Sequence, residues 1–127
     1  MTFSFDPAAR LILVRARIDG PAGTAALRLG LDTGASRTVI NTAMLLALGY
    51  DPGVLPDRIQ ITTGSGIEFV PRVLLQRFVA LGQQRDAFEV LGHTLPASAK
   101  IDGLLGLDFM RGQTLTVDFR LGQVRLE

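Results

Sequence analysis

The chain has 127 residues, no cysteine, and 13 Lys and Arg against 12 Asp and Glu, for a net charge of +1. Near-neutrality with scattered basic residues argues against a dedicated nucleic-acid binder, and the missing cysteines exclude disulfides and thiolate metal sites. The length suits one domain spanning 1–127, and no stretch has the length and apolarity of a membrane span or an export signal.

Leu11 to Ile18 alternates enough to read as a strand, and Asp19-Gly20-Pro21-Ala22-Gly23 as the turn that follows it. Thr24 to Leu31 is the returning strand, with Ala25, Leu27, Leu29 and Leu31 on one face. Asp32-Thr33-Gly34 follows as a loop. A carboxylate at the end of a core strand is costly unless it is paired or shares a proton. Thr38-Val39-Ile40 is a short strand, Asn41 a helix cap, Thr42 to Leu48 a helix, and Gly49 and Pro52 its stop signals.

Arg58 to Thr63 and Ile67 to Val73 read as a hairpin around Thr63-Gly64-Ser65-Gly66. Leu74 to Leu81 and Ala87 to Leu91 read as two further strands about Gly82-Gln83-Gln84-Arg85, with a loop at Pro96 to Lys100. Ile101 to Gly106 is a short apolar strand ending in glycine, and Leu107 to Arg111 a helical turn with Phe109 and Met110 in the core. Leu115 to Phe119 and Gln123 to Leu126 make a last hairpin. The sum is mostly β, with a weak internal repeat: strand pair, glycine-bearing segment and short helix occur twice.

Three elements in this order resemble the retropepsin-like aspartic proteases, the retroviral enzymes and their bacterial relatives. They are Leu31-Asp32-Thr33-Gly34-Ala35-Ser36, a glycine-tipped hairpin about thirty residues on, and Gly103-Leu104-Leu105-Gly106. The resemblance covers nearly the whole chain. It implies a closed, barrel-like acid-protease (retropepsin) monomer with a flap hairpin and one or two short helices. It implies Asp32 as the catalytic residue, supported by Thr33, Gly34 and Ala35. Peptide hydrolysis by this route needs two carboxylates sharing one proton, because like charges about 3 Å apart cannot both ionise. This chain carries one such triplet, so a homodimer is expected, with one Asp32 from each copy meeting on the two-fold axis.

By the same resemblance, the Thr33 hydroxyl bonds across the dimer axis, and the Gly34 amide donates to the carboxylate. Pepsin-like enzymes often carry Ser or Thr at the position of Ala35, where a hydroxyl stabilises the ionised pair. Ala35 lacks one, so a weakly acidic optimum is expected. Thr63, Gly64, Ser65 and Gly66 would form a flap over an extended peptide. Gly30, Ile101 and Leu104 would wall the pocket at the scissile bond and favour apolar side chains.

The chain also departs from the retroviral pattern, which commonly pairs an Asp two positions after the triplet's glycine with an Arg just after the second motif's glycine. Those places hold Ser36 and Leu107 here, while Arg37 and Asp108 stand one position further along as a candidate compensating pair. The final hairpin is longer than a simple terminal strand. Dimerisation is therefore expected to differ from the interleaved terminal sheet of the viral enzymes.

Each feature also has a plainer reading. Asp-Thr-Gly suits ordinary turns, and Asp102 either lines the cleft or is a structural or solvated carboxylate. His93 is the single histidine, suits a surface loop, and has no partner cluster for a metal, so no metal or cofactor is expected. The leading expectation is an aspartic endopeptidase acting on extended peptides or proteins. The alternative is a catalytically silent retropepsin-like module for peptide binding or dimerisation. No nucleic-acid or membrane contact is expected of this chain, and a cytoplasmic location is expected unless an anchor lies outside it.

Overall fold

The computed structural model describes residues 1–51, 58–63 and 66–127. Among the described residues, ten strands and two short helices make up the fold. They are β1 (Thr2–Ser4), β2 (Leu13–Gly20), β3 (Gly23–Leu31), β4 (Val39–Asn41), α1 (Thr42–Ala47), β5 (Arg58–Thr63), β6 (Gly66–Ala80), β7 (Gln83–His93), β8 (Gly103–Leu105), α2 (Leu107–Met110), β9 (Leu115–Asp118) and β10 (Gln123–Leu126). A 3-10 turn spans Ala97–Ala99.

The large sheet runs β2-β3-β8-β4-β7-β6-β5, and an added β2–β6 pairing closes six of these strands into a ring. Closure removes the exposed edges that an open sheet of these strands would leave. Exchanging β2, β3 and β4 with β6, β7 and β8 leaves every pairing of the ring unchanged. The parallel pair β3–β8 maps onto the parallel pair β7–β4, while β4–β8 and β2–β6 map onto themselves. The repeat suggested by the sequence is thus a repeat of topology.

Alternation explains the inner face. Val14, Ala16 and Ile18 of β2 are buried while Arg15 and Arg17 between them are exposed. Leu27 and Leu29 of β3 are fully buried, and Ala25 and Leu31 on the same face are half-buried. Phe78, Phe88 and Phe109 form an aromatic cluster with centroids 5.1 to 5.8 Å apart. Phe78 and Phe109, fully buried, each contribute about 1.5–3 kcal/mol by leaving water. Phe109 and Met110 of α2 are buried as expected.

Three differences from the sequence reading have clear causes. The strands expected at Ile67–Val73 and Leu74–Leu81 are one strand, β6, because no turn residue separates them. Its first part pairs with β5, and its second part pairs with β2 and β7 inside the barrel. The following turn lies at Leu81-Gly82, both with positive φ (50° and 73°), so β7 begins at Gln83 rather than Ala87. This is the twisted two-residue connection that suits a right-twisted hairpin. Third, β1 was not foreseen. Its three residues pair with β10, which pairs with β9, so the two ends of the chain share one small sheet.

Asn41 caps α1 as expected, its side chain accepting from the Ala43 N–H at 3.2 Å. Gly49 follows the helix at φ +88°. Pro52, the other expected stop signal, lies outside the described residues.

Candidate active site

Asp32 stands half-buried at the end of β3, where the strand leaves the barrel. Its N–H donates to the Leu105 carbonyl at 3.0 Å, which ties it to the neighbouring parallel strand β8. Its Oδ1 accepts the Gly34 N–H at 2.9 Å, and its own carbonyl accepts the Ala35 N–H at 3.2 Å. The carboxylate is therefore held by the turn that follows it, with the Gly34 amide in the donor position expected. A Cβ on Gly34 would stand 3.1 Å from that same Oδ1, so the turn is shaped around the carboxylate. Thr33 and Gly34 are exposed and Ala35 is half-buried.

Gly30, Ile101 and Leu104, expected to wall the pocket, stand together. A Cβ on Gly30 would lie 3.2 Å from Leu104 Cδ2 and 3.8 Å from Ile101 Cδ1. Gly30 and Leu104 are register partners across β3 and β8, one residue before the Leu31–Leu105 pair that precedes Asp32. Ile101 and Leu104 are half-buried, leaving apolar surface beside the carboxylate loop.

Of the hairpin residues, Gly64 and Ser65 lie outside the described residues. Thr63 ends β5, and Gly66 opens β6 at φ +130° as its register partner. The β5–β6 hairpin itself is present, and it carries Ile67 and Phe69 at 62% and 67% exposure.

The loop from Asp32 to Thr38 is bound to the second motif along its length. Leu107 donates its N–H to the Ala35 carbonyl at 2.9 Å, and the Gly106 N–H donates to Thr38 Oγ1 at 3.1 Å. Thr38 is fully buried; its N–H reaches both Asp108 oxygens at 3.0 and 2.9 Å, and its hydroxyl donates to Oδ1 at 2.7 Å. Gly106 must be glycine here, because a Cβ would meet the Arg37 carbonyl at 2.7 Å. The compensating pair forms as well. Arg37 Nε stands 3.7 Å from Asp108 Oδ2, and its guanidinium also bonds Glu89 at 2.5 Å. The basic partner is on the triplet side and the acidic one on the second motif, the reverse of the retroviral order.

Sequence reasoning missed Thr38 and gave Asp108 only Arg37 as a candidate partner. The available signal was an Asp in the first turn of a helix just after the glycine motif. Asp102 is structural at its Oδ2, which accepts the Arg28 N–H at 2.8 Å. His93 sits half-buried at the end of β7, with Nδ1 2.9 Å from the Thr94 carbonyl, and among the described residues no cluster of His, Cys, Asp or Glu could hold a metal.

The topological repeat supplies the frame twice and the carboxylate once. The segment after β7 that corresponds to 32–34 begins Thr94-Leu95-Pro96 and carries no acidic residue before Asp102. A cavity of about 320 Å³ lies between the N-terminal segment and β2–β3, lined by Phe3, Phe5, Leu11, Leu13, Arg15 and Arg28 among others. Asp32 does not line it.

A family model described as aspartyl protease matches residues 14–109. Among solved structures, the chain is similar to a retropepsin-like aspartic protease from Rickettsia conorii, with a TM-score of 0.69 at 18% identity, covering 100% of this chain and 97% of that one. It is also similar to the retroviral protease-like domain of Ddi1 from Leishmania major, with a TM-score of 0.60 at 15% identity, covering 94% and 95%. No curated protein matches the sequence. At such identities the structural likeness establishes the fold.

Proposed function

The chain belongs to the aspartyl protease family, and we propose that it is an aspartic endopeptidase whose two catalytic carboxylates are Asp32 from each copy of a homodimer. The observation that carries this reading is the Asp32 loop: one carboxylate, steadied by the Gly34 amide at 2.9 Å, at the rim of the barrel beside an apolar wall.

Two such carboxylates facing each other hold a single proton between them. The ionised one takes a proton from a bound water, which attacks the scissile carbonyl carbon. The protonated one gives its proton to the carbonyl oxygen, and the resulting diol collapses with proton transfer to the leaving amine. The apparent titration belongs to the pair, not to either residue.

Within one chain Thr33 is exposed, which suits a hydroxyl that bonds across a two-fold axis. The β5–β6 hairpin serves as the flap, so that an extended peptide lies beneath it and bonds through its main chain. Gly30, Ile101 and Leu104 favour an apolar side chain next to the cleaved bond. The pairing of β1 with β10 inside one chain favours an interface built around the Asp32 loops over an exchange of chain ends.

The test has two parts. Sedimentation at several concentrations should give a dimer, and a peptide library assayed across pH 3–8 should be cut by wild type and not by Asp32→Asn. Asparagine keeps the acceptor for the Gly34 amide, so the variant should fold. A wild-type dimer that cleaves nothing would leave the silent binding module as the function.

A further inference from the structure

Thr38 is the buried polar residue of the core among the described residues, and its bonding is directional. The Gly106 N–H donates to its Oγ1, so the hydroxyl proton must point elsewhere, and Asp108 Oδ1 at 2.7 Å receives it. The Thr38 N–H adds two further bonds to the same carboxylate. Asp108 therefore acts as an acceptor at both oxygens, a role that suits a carboxylate and not a neutral amide.

This clamp has a consequence for Asp32. The loop that carries it is pinned to the second motif at Asp32 N–H to Leu105, at Ala35 to Leu107, and at Thr38 to Gly106 and Asp108. The third attachment is the one made by side chains, and it closes the loop onto the backbone of Gly106, where no Cβ fits. Releasing it leaves the far end of the loop tied to β7, where the Thr38 carbonyl accepts the Leu91 N–H at 2.9 Å, and held otherwise by the more solvent-exposed Arg37 ion pairs. We infer that Thr38 and Asp108 are positioning residues that set the placement of Asp32 for catalysis, an inference that rests on the protease reading above. Neither residue touches the reacting atoms. They act through the loop, so they should govern turnover more than substrate binding, which the hairpin and the apolar wall supply.

The experiment compares Thr38→Val, Thr38→Ser, Asp108→Asn and Arg37→Gln in the full chain. Misplacing a catalytic group by ~1 Å costs up to about 100-fold, so Thr38→Val and Asp108→Asn should lower kcat about 10- to 100-fold with KM within about 3-fold. Thr38→Ser keeps the hydroxyl and should restore kcat to within about 3-fold of wild type, and Arg37→Gln, which leaves the clamp whole, should do the same. Amide exchange gives a second readout. Protection at Asp32 and Gly106 should drop in Thr38→Val and Asp108→Asn and survive in Thr38→Ser. Should Thr38→Val fail to fold, Asp108→Asn and Thr38→Ser carry the comparison.

Unchanged kcat in Asp108→Asn and Thr38→Val, unchanged exchange at Asp32 and Gly106, or a loss in Arg37→Gln equal to that in Asp108→Asn would each overturn the inference. An inactive wild-type dimer overturns the protease reading first, and the positioning role falls with it.

Discussion

Gly103→Ala tests how tightly the second motif is threaded through the barrel. An alanine Cβ at this position would stand 2.1 Å from the Val39 carbonyl oxygen, 3.1 Å from Ile40 Cα and 3.1 Å from Leu29 Cδ2. Ordinary contact begins near 3.4 Å, so β8 and β4 would have to part by about 1 Å. Two of the three obstacles are backbone and cannot swing aside. Parting the strands breaks the Ile40–Gly103 pairing and strains the Asn41 N–H to Asp102 carbonyl bond, now 2.8 Å. Overpacking together with two weakened hydrogen bonds amounts to about 3–5 kcal/mol. Set against a typical stability of about 5–15 kcal/mol, that is a large fraction, and for a chain of this length it lowers the melting temperature by roughly 10–20 °C. Thermal unfolding followed by circular dichroism reads the shift directly, with exposed Ser36→Ala as a control expected to move it little. The proteolytic activity proposed above should fall further than the folded fraction does, because β8 supplies the Leu105 carbonyl that holds Asp32. A melting temperature within about 3 °C of wild type would refute the steric reasoning.

Other outcomes follow from individual contacts. The Tyr50 hydroxyl donates to the Asp19 carbonyl at 2.7 Å and accepts the Gln76 N–H at 2.8 Å, so Tyr50→Phe should cost about 1–2 kcal/mol in urea unfolding. Asp19 is held below its usual 3.8, first by the Thr24 hydroxyl and then, against the opposing effect of burial, by Arg17 and Arg77. A carboxyl lowered in the folded state stabilises above its unfolded value and loses that contribution as pH falls through its folded one. Asp19→Asn should therefore be less stable than wild type at neutral pH, with the gap closing once the pH drops well below 3.8; a gap independent of pH would contradict this. With Ala35 beside the triplet, the pH–rate profile should peak in the weakly acidic range, and Ala35→Ser should move the peak lower by adding a donor to the ionised pair. A wild-type profile peaking near pH 2 would contradict the role given to Ala35.

Local patterns in the chain were informative about its parts. The alternation in 25–31 placed Ala25, Leu27, Leu29 and Leu31 together on what is the inner face, because a strand's period of two is a local property. Asn41 read as a cap and acts as one. Short β1 lacked a signal, since three residues show no period and only pairing with β10 makes them a strand. The joining of two expected strands into β6 depended on the barrel, which gives one strand different partners along its length. At the site, the Asp32 turn and the proximity of Gly30, Ile101 and Leu104 were legible from their motifs. The Thr38–Asp108 clamp was not, because its partners lie 70 residues apart and an acidic first turn does not say which distant residue it holds.

The amino-acid sequence alone thus determined the inner face of β3, the cap at Asn41, the single carboxylate-glycine triplet and the family it resembles. These follow from side-chain period, backbone permission at glycine, and residue identity, all of which act over a few residues. Only the tertiary structure decided that β2 closes on β6, that Gly30 meets Leu104, and that Thr38 is buried on Asp108. Those contacts join segments far apart in the chain. They are selected by the burial and hydrogen bonding of the whole barrel, which no local stretch specifies.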